Sequence, residues 1–211
     1  MQEEEFDVLN RDGSPALQRL PRSVVHAEGH WHRSVHVWIV DEKEGTLLLQ
    51  MRAPDKDTFP NRLDVSAAGH IAAGEGSWDT ALRELEEELG VELDDRGASV
   101  KVYSREESAL LHVAQPLRLL FTAESENQGE TPAHGKFVDR ELQDVYLLVT
   151  REALDLSKLK LQQSEVLGVR FLPWTQYRDA LCAGDEAFVP RPAEYARRFF
   201  KILHEQTNLK S

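Results

Sequence analysis

Twenty-three residues, Gly69 to Val91, constrain this chain more than any other stretch: GHIAAGEGSWDTALRELEEELGV. Ser77 can cap a helix and Gly90 can stop one, so the spacing predicts a helix over residues 78–89. At 100° per residue, Trp78, Leu82, Leu85 and Leu89 share one face, and Glu84, Glu87 and Glu88 share another. Carboxylates at i, i+3 and i+4 repel one another, so the second face asks for a counter-charge. Hard divalent cations such as Mg²⁺ or Mn²⁺ take oxygen ligands and keep positions open for water and phosphate. An acidic helix face is by itself more often simply solvated. The joint spacing of Gly69, Glu75, Arg83-Glu84, Glu87-Glu88 and Gly90 is far more restrictive than three glutamates alone.

Charge points the same way. The 211 residues carry 25 basic and 37 acidic side chains, a formal net charge of −12, which disfavours a nucleic acid polymer as partner. A small phosphorylated substrate would also be repelled unless metal ions bridged it to the carboxylates. At 41% apolar residues the chain can form one compact domain over 1–211, with an N-terminal hairpin extension at 1–30 and C-terminal helices at 173–211. No run approaches the ~18 apolar residues of a membrane span. The acidic start MQEEEFDVLN is neither a signal nor a transit peptide, so a cytoplasmic protein that meets no membrane is expected. The lone Cys182 excludes an internal disulfide framework and is expected on a helix without a special role.

Along the chain, residues 5–25 read as a hairpin turning at Arg11-Asp12-Gly13. Arg33–Val40 and Thr46–Arg52 read as adjacent antiparallel strands central to a sheet. Residues 53–60 read as a loop, RLDVSAAGH as a strand leading into Gly69, and 98–103, LRLLFTAE, LQDVYLLVT and 166–172 as further strands. The polar run 124–136 reads as a mobile loop. Thr175 is expected to cap a helix through Cys182, and a last helix is expected at 193–206, with Tyr195, Phe199, Ile202 and Leu203 at helical spacing. This order argues for a mixed sheet between helices, an α/β fold.

The 69–91 stretch resembles the Nudix box, with every fixed position of that pattern filled. The resemblance implies a Nudix-type α/β/α sandwich with a mixed β-sheet and a loop-helix-loop that binds a divalent metal and hydrolyses a diphosphate linked to another group. Carried over, Glu84, Glu87 and Glu88 become metal ligands, the Gly69 carbonyl a further one, and Glu75 pairs with Arg83. The chain as a whole resembles the Nudix branch nearest to type I isopentenyl-diphosphate isomerase, through EEFDVLNRDGSP, LLLQMRAPDKDTFPNRLDVSAAGH and VDREL. That likeness implies a second metal site at His26, His32, His70, Asp139 and Glu141. It also matches Arg52 and Lys56 to diphosphate-gripping positions, with Arg62 nearby. The isomerase needs a cysteine just ahead of the Gly-His pair, where this chain has Ala68.

Hydrolysis is therefore expected, with Glu84 or Glu165 taking the proton of water, and isomerisation is the alternative. A nucleoside diphosphate derivative or related small-molecule diphosphate is the expected substrate, and a homodimer stays open. Specificity is expected in loops 53–64, 104–116 and 124–137, where Trp31, Phe59 and Trp174 are candidates for stacking a base.

Overall fold

A computed structural model describes residues 3–94, 100–103, 108–111, 113–131 and 135–206. The expected hairpin forms from β1 (Glu5–Leu9) and β2 (Pro15–Pro21). A short helix that the sequence reading lacked follows, α1 (Arg22–Glu28), closed by Gly29 at φ 71°. It starts right after Pro21, whose ring fixes the backbone at a helix entry.

The hub is β3 (Trp31–Asp41), which precedes β4 (Thr46–Arg52), β5 (Leu63–Asp64) and β6 (Ala67–His70). On its other side it runs parallel to β11 (Gly135–Thr150) for its full length, Trp31 opposite Arg140 and Asp41 opposite Thr150. Along its remaining edge it meets β1, then β6, then β4, all antiparallel. RLDVSAAGH is thus two short strands, because Ser66 between them turns its hydroxyl into the sheet. Ser66 Oγ accepts from the Ile39 amide at 2.8 Å and donates to the Leu48 carbonyl at 2.6 Å.

Next come α2 (Ser77–Leu89), then β7 (Val91–Leu93), β8 (Val100–Tyr103) and β9 (Ser108–Leu111), which form a separate three-stranded sheet. The start of the expected 98–103 strand, and residues 104–107 and 112 of the expected 104–116 loop, lie outside the described residues. β10 (Val113–Thr131) pairs with β11 from Val113–Thr150 out to Thr131–Gly135, so the expected loop at 124–136 is largely the far half of a long hairpin. Its polar sequence misleads because a two-stranded ribbon reaching beyond the hydrophobic core needs no apolar side, and here its inner face lines a polar cavity instead. β12 (Val166–Pro173) pairs with β4, and α3 (Trp174–Ala183) and α4 (Ala193–Gln206) end the fold.

Period-two alternation decides which helix covers which face. On β3, Val35, Val37 and Ile39 face Ala81, Leu85 and Leu89 of α2, with Tyr146 and Leu148 of β11. Trp38 and Val40 face the other way, with Val145, Leu147 and Val149, against Trp174, Tyr177, Tyr195, Phe199 and Leu203. The layers are α2, sheet, then α3 with α4. Neither expected side-chain cap forms: α2 is capped by Gly76 and α3 by Pro173, and neither cap contributes a side-chain bond. Ser77 instead meets the Tyr146 hydroxyl at 2.9 Å. Gly90, at φ 68°, ends α2 as expected.

Candidate active site

The box loop is bolted to its helix by Arg83. Its Nε donates to Glu75 Oε1 at 3.1 Å and a terminal nitrogen to Glu75 Oε2 at 3.2 Å, while Thr80 Oγ1 donates to Glu75 at 3.0 Å. The same guanidinium lies 2.8 Å from Glu84 and 3.0 Å from Glu87. The acidic face is not solvated as a whole, as the joint spacing of the box argues over simple solvation. Glu87 is half exposed, but Glu84 and Glu88 are buried against β6, because α2 turns that edge of its stripe toward the sheet. Glu88 accepts from the Ala68 amide at 3.0 Å and from Gln50 Nε2 at 3.2 Å.

Burial raises the Glu84 carboxyl to about 7 in spite of Arg83, and burial together with the Glu84 charge raises Glu88 to about 8. A Cβ placed on Gly69 would stand 2.0 Å from Glu84 Oε1, so only glycine lets the backbone come this close to that carboxylate. A cation among these oxygens would remove the charge conflict, and the donor set suits a hard ion.

A second cluster sits on the neighbouring strands. One ligand-type atom from each of His26 (α1), His32 (β3), His70 (β6) and Asp139 (β11) lies within 4.8 Å of the others. Phe6 of β1 forms their floor, stacked on the His32 ring at 5.1 Å and 4.9 Å from the His70 ring. His32 Nδ1 donates to the His30 carbonyl at 3.1 Å, which leaves Nε2 of the neutral ring with a lone pair. Burial lowers His26 to about 3 and His32 to about 4, so both rings are neutral at pH 7.

His26 Nε2 and His32 Nε2 lie 3.7 and 3.5 Å from Asp139 Oδ1, and all three buried atoms are without a hydrogen bond. The His32 lone pair facing a buried carboxylate oxygen calls for a proton or a metal ion between them. Burial and the Glu141 charge push the Asp139 carboxyl up. Burial would push Glu141 up too, but the His70 contact at 3.3 Å and the nearby imidazoles hold it below the usual range. Gln143 Nε2 donates to Glu141 at 2.7 Å and fixes its rotamer.

Both clusters line one cavity of about 870 Å³, together with Arg52, Lys56, Phe59, Ala68 and Glu165. His32 lies directly behind that wall, fully buried. Arg62 departs from expectation: it is outside the cavity, with its guanidinium 5.5 Å over the Phe59 ring, because its strand-entry position turns it outward. Arg52 donates to Asp64 at 3.0 Å and to the Thr58 carbonyl at 3.0 Å, and Lys56 pairs with Glu165.

Of the stacking candidates, Phe59 lines the cavity. Trp174 is buried in the core and Trp31 stands under Arg11. Sequence reasoning missed Phe6, Gln50, Gln143, His36 and Arg191. Each acts through a partner distant in sequence, and only the alternation placing Gln50 and His36 on inward faces of strands could have flagged two of them.

A model of the NUDIX domain matches residues 30–192. Nudix hydrolase 3 of Arabidopsis thaliana is 39% identical over 213 residues, covering all of this chain but 25% of the plant protein, so the chain spans about a quarter of that relative. An uncharacterised Nudix hydrolase of Listeria monocytogenes, lmo0368, is 30% identical over 208 residues, 99% of this chain and 96% of its own. The crystal structure of DR0079 from Deinococcus radiodurans matches with a TM-score of 0.62 at 22% identity, covering 92% of this chain and 98% of that one, a likeness of fold.

Proposed function

The chain belongs to the Nudix family, and on that premise we propose that it is a divalent-metal-dependent pyrophosphohydrolase acting on a small molecule with a diphosphate linkage. The observation that carries this reading is the pair of buried carboxylates, Glu84 and Glu88, crowded beside a glycine backbone on the wall of a cavity. Glu84, Glu87, Glu88 and the Gly69 carbonyl would hold Mg²⁺ or Mn²⁺. His26, His32, His70 and Asp139 would hold a second ion, which the buried, unpartnered atoms of that cluster support, and Glu141, beside His70, would complete the metal site. Bound ions would supply Lewis acidity toward water and toward the phosphoryl oxygens as charge grows there.

The protein's own groups do the rest. Arg83 keeps the Gly69 loop against α2, and Gln50 and the Ala68 amide keep Glu88 aimed at the cavity. Glu84 has its oxygens committed if it is a ligand, which leaves Glu165 as the base in this reading. Glu165 stands on the cavity wall, paired with Lys56, within the same cavity as the carboxylates of α2. Lys56 and Arg52 favour the phosphate that does not react.

The alternative, isomerisation of an isoprenoid diphosphate, needs a second proton-transfer group, and Ala68 of the cavity wall has none. The test is Glu88→Gln with Glu87→Gln, assayed for Mg²⁺- and Mn²⁺-dependent diphosphate cleavage alongside thermal melts. Activity should fall by more than the roughly 10–100-fold typical of losing an outer partner, with melting cooperative. Turnover near wild type in either variant would remove the metal assignment.

A further inference from the structure

Beyond the metal clusters, the same cavity has a cationic end. Arg191, in the segment between α3 and α4, reaches in beside Arg52, and both guanidiniums share one carboxylate, Asp64. Arg52 spends other donors on Thr58. Arg191 does not: its side chain is 6% exposed, one terminal nitrogen bonds Asp64, and its Nε is buried with no hydrogen-bond partner. Lys56 pairs with Glu165, and Arg52 also feels the charges of Glu88 and Glu141, so it is Arg191 that is left with a donor to spare. An unsatisfied donor on a buried cation is costly and is rarely kept without a use.

His36 adds a further donor. The indole Nε1 of Trp38 donates to Tyr195 Oη at 2.9 Å, so the Tyr195 proton is free to turn toward His36 Nδ1 at 3.1 Å. Burial, helped by the charge of Arg191, lowers His36 to about 3, so the ring is neutral, and with Nδ1 accepting from Tyr195 its one proton would lie on Nε2. His36 also lines the cavity, next to Ala68 across the β3–β6 ladder.

We propose that Arg191, with Arg52 and the His36 Nε2–H, forms an oxyanion subsite that grips a phosphate or carboxylate of the substrate at the Asp64 end of the cavity. Its ligand is an anion with separated oxygens, for which a planar guanidinium fork is suited. This rests on the reading of the cavity as a substrate site but not on hydrolysis taking place there.

Calorimetric titration of the full chain in Ca²⁺ with inorganic pyrophosphate, and separately with malonate, tests it. The comparison is wild type against Arg191→Lys, which can still pair with Asp64, and Arg191→Gln. Wild type should bind at least one anion, and the class bound tells phosphate from carboxylate. Both variants should weaken that binding by roughly tenfold or more, the loss of a charge-assisted hydrogen bond, while Mn²⁺ affinity stays unchanged. Equal affinity in Arg191→Lys, or no binding of either anion by wild type, overturns the subsite. Arg191-dependent binding in a protein that cleaves no diphosphate would instead leave the subsite standing and remove the hydrolase reading.

Discussion

A buried carboxylate resists ionisation, and Glu84, in spite of Arg83, and Glu88 are both raised by their burial on one wall of the cavity. Their raised values mean that the metal-free folded protein holds protons which the unfolded chain has released, so its stability falls as pH rises toward about 8. His26 and His32 act oppositely, but their contribution is complete once the unfolded imidazole has titrated near 6.5. Toward pH 8 the raised carboxyls, Glu84 and Glu88 with Asp139 of the neighbouring cluster, therefore dominate the pH dependence. Mn²⁺ should raise the melting temperature more at pH 8 than at pH 6.5, with protons released on binding. A shift that shrinks with rising pH would contradict the assignment.

At this scale the sequence was legible where chemistry repeats at fixed spacing: the glutamates, Gly69 and Arg83 all sit together. Arg191 and Phe6 were not legible, since a lone arginine before a helix and a phenylalanine in a hairpin gain meaning only from strands and loops folded next to them.

Among the elements, α2 ties stability to the site. Leu85 is fully buried between β3 and β11 residues, and Glu84 and Glu88 are its neighbours on the helix. Leu85→Ala should cost about 2–5 kcal/mol in denaturant unfolding, the usual cost of a cavity left by leucine. A cost below about half a kcal/mol would mean that the helix does not carry the core contact described. The helix was legible because its apolar repeat, its glycine stop and its acidic stripe agree. Its cap was not, because Ser77 is taken by Tyr146 of a distant strand. The β10–β11 hairpin was half legible: Leu147 and its neighbours read as strand, but Glu124 to Thr131 carry no apolar side, and their pairing comes from backbone bonds that composition does not encode.

For the whole molecule, the cavity is the common product of β3, β4, β6, α1, α2, β11 and the segment before α4, so no single stretch contains it. The alternation of β3 sends Val35, Val37 and Ile39 to one layer and Trp38 and Val40 to the other, and His36 and Ser34 of the same strand line the cavity. No described helix is long and apolar enough to cross a membrane. The proposal that this assembly breaks a diphosphate bond with metal help, instead of rearranging a carbon chain, is open to one direct test. It is tested by incubating the protein and its Ala68→Cys variant with nucleoside, sugar-nucleotide, dinucleotide and isoprenoid diphosphates in Mg²⁺ or Mn²⁺. Bond cleavage and allylic isomerisation are scored in the same samples. The account predicts metal-dependent cleavage of at least one diphosphate and no isomerisation by the unmodified protein. Robust conversion of isopentenyl to dimethylallyl diphosphate with Ala68 in place, and no cleavage of any diphosphate, would contradict it.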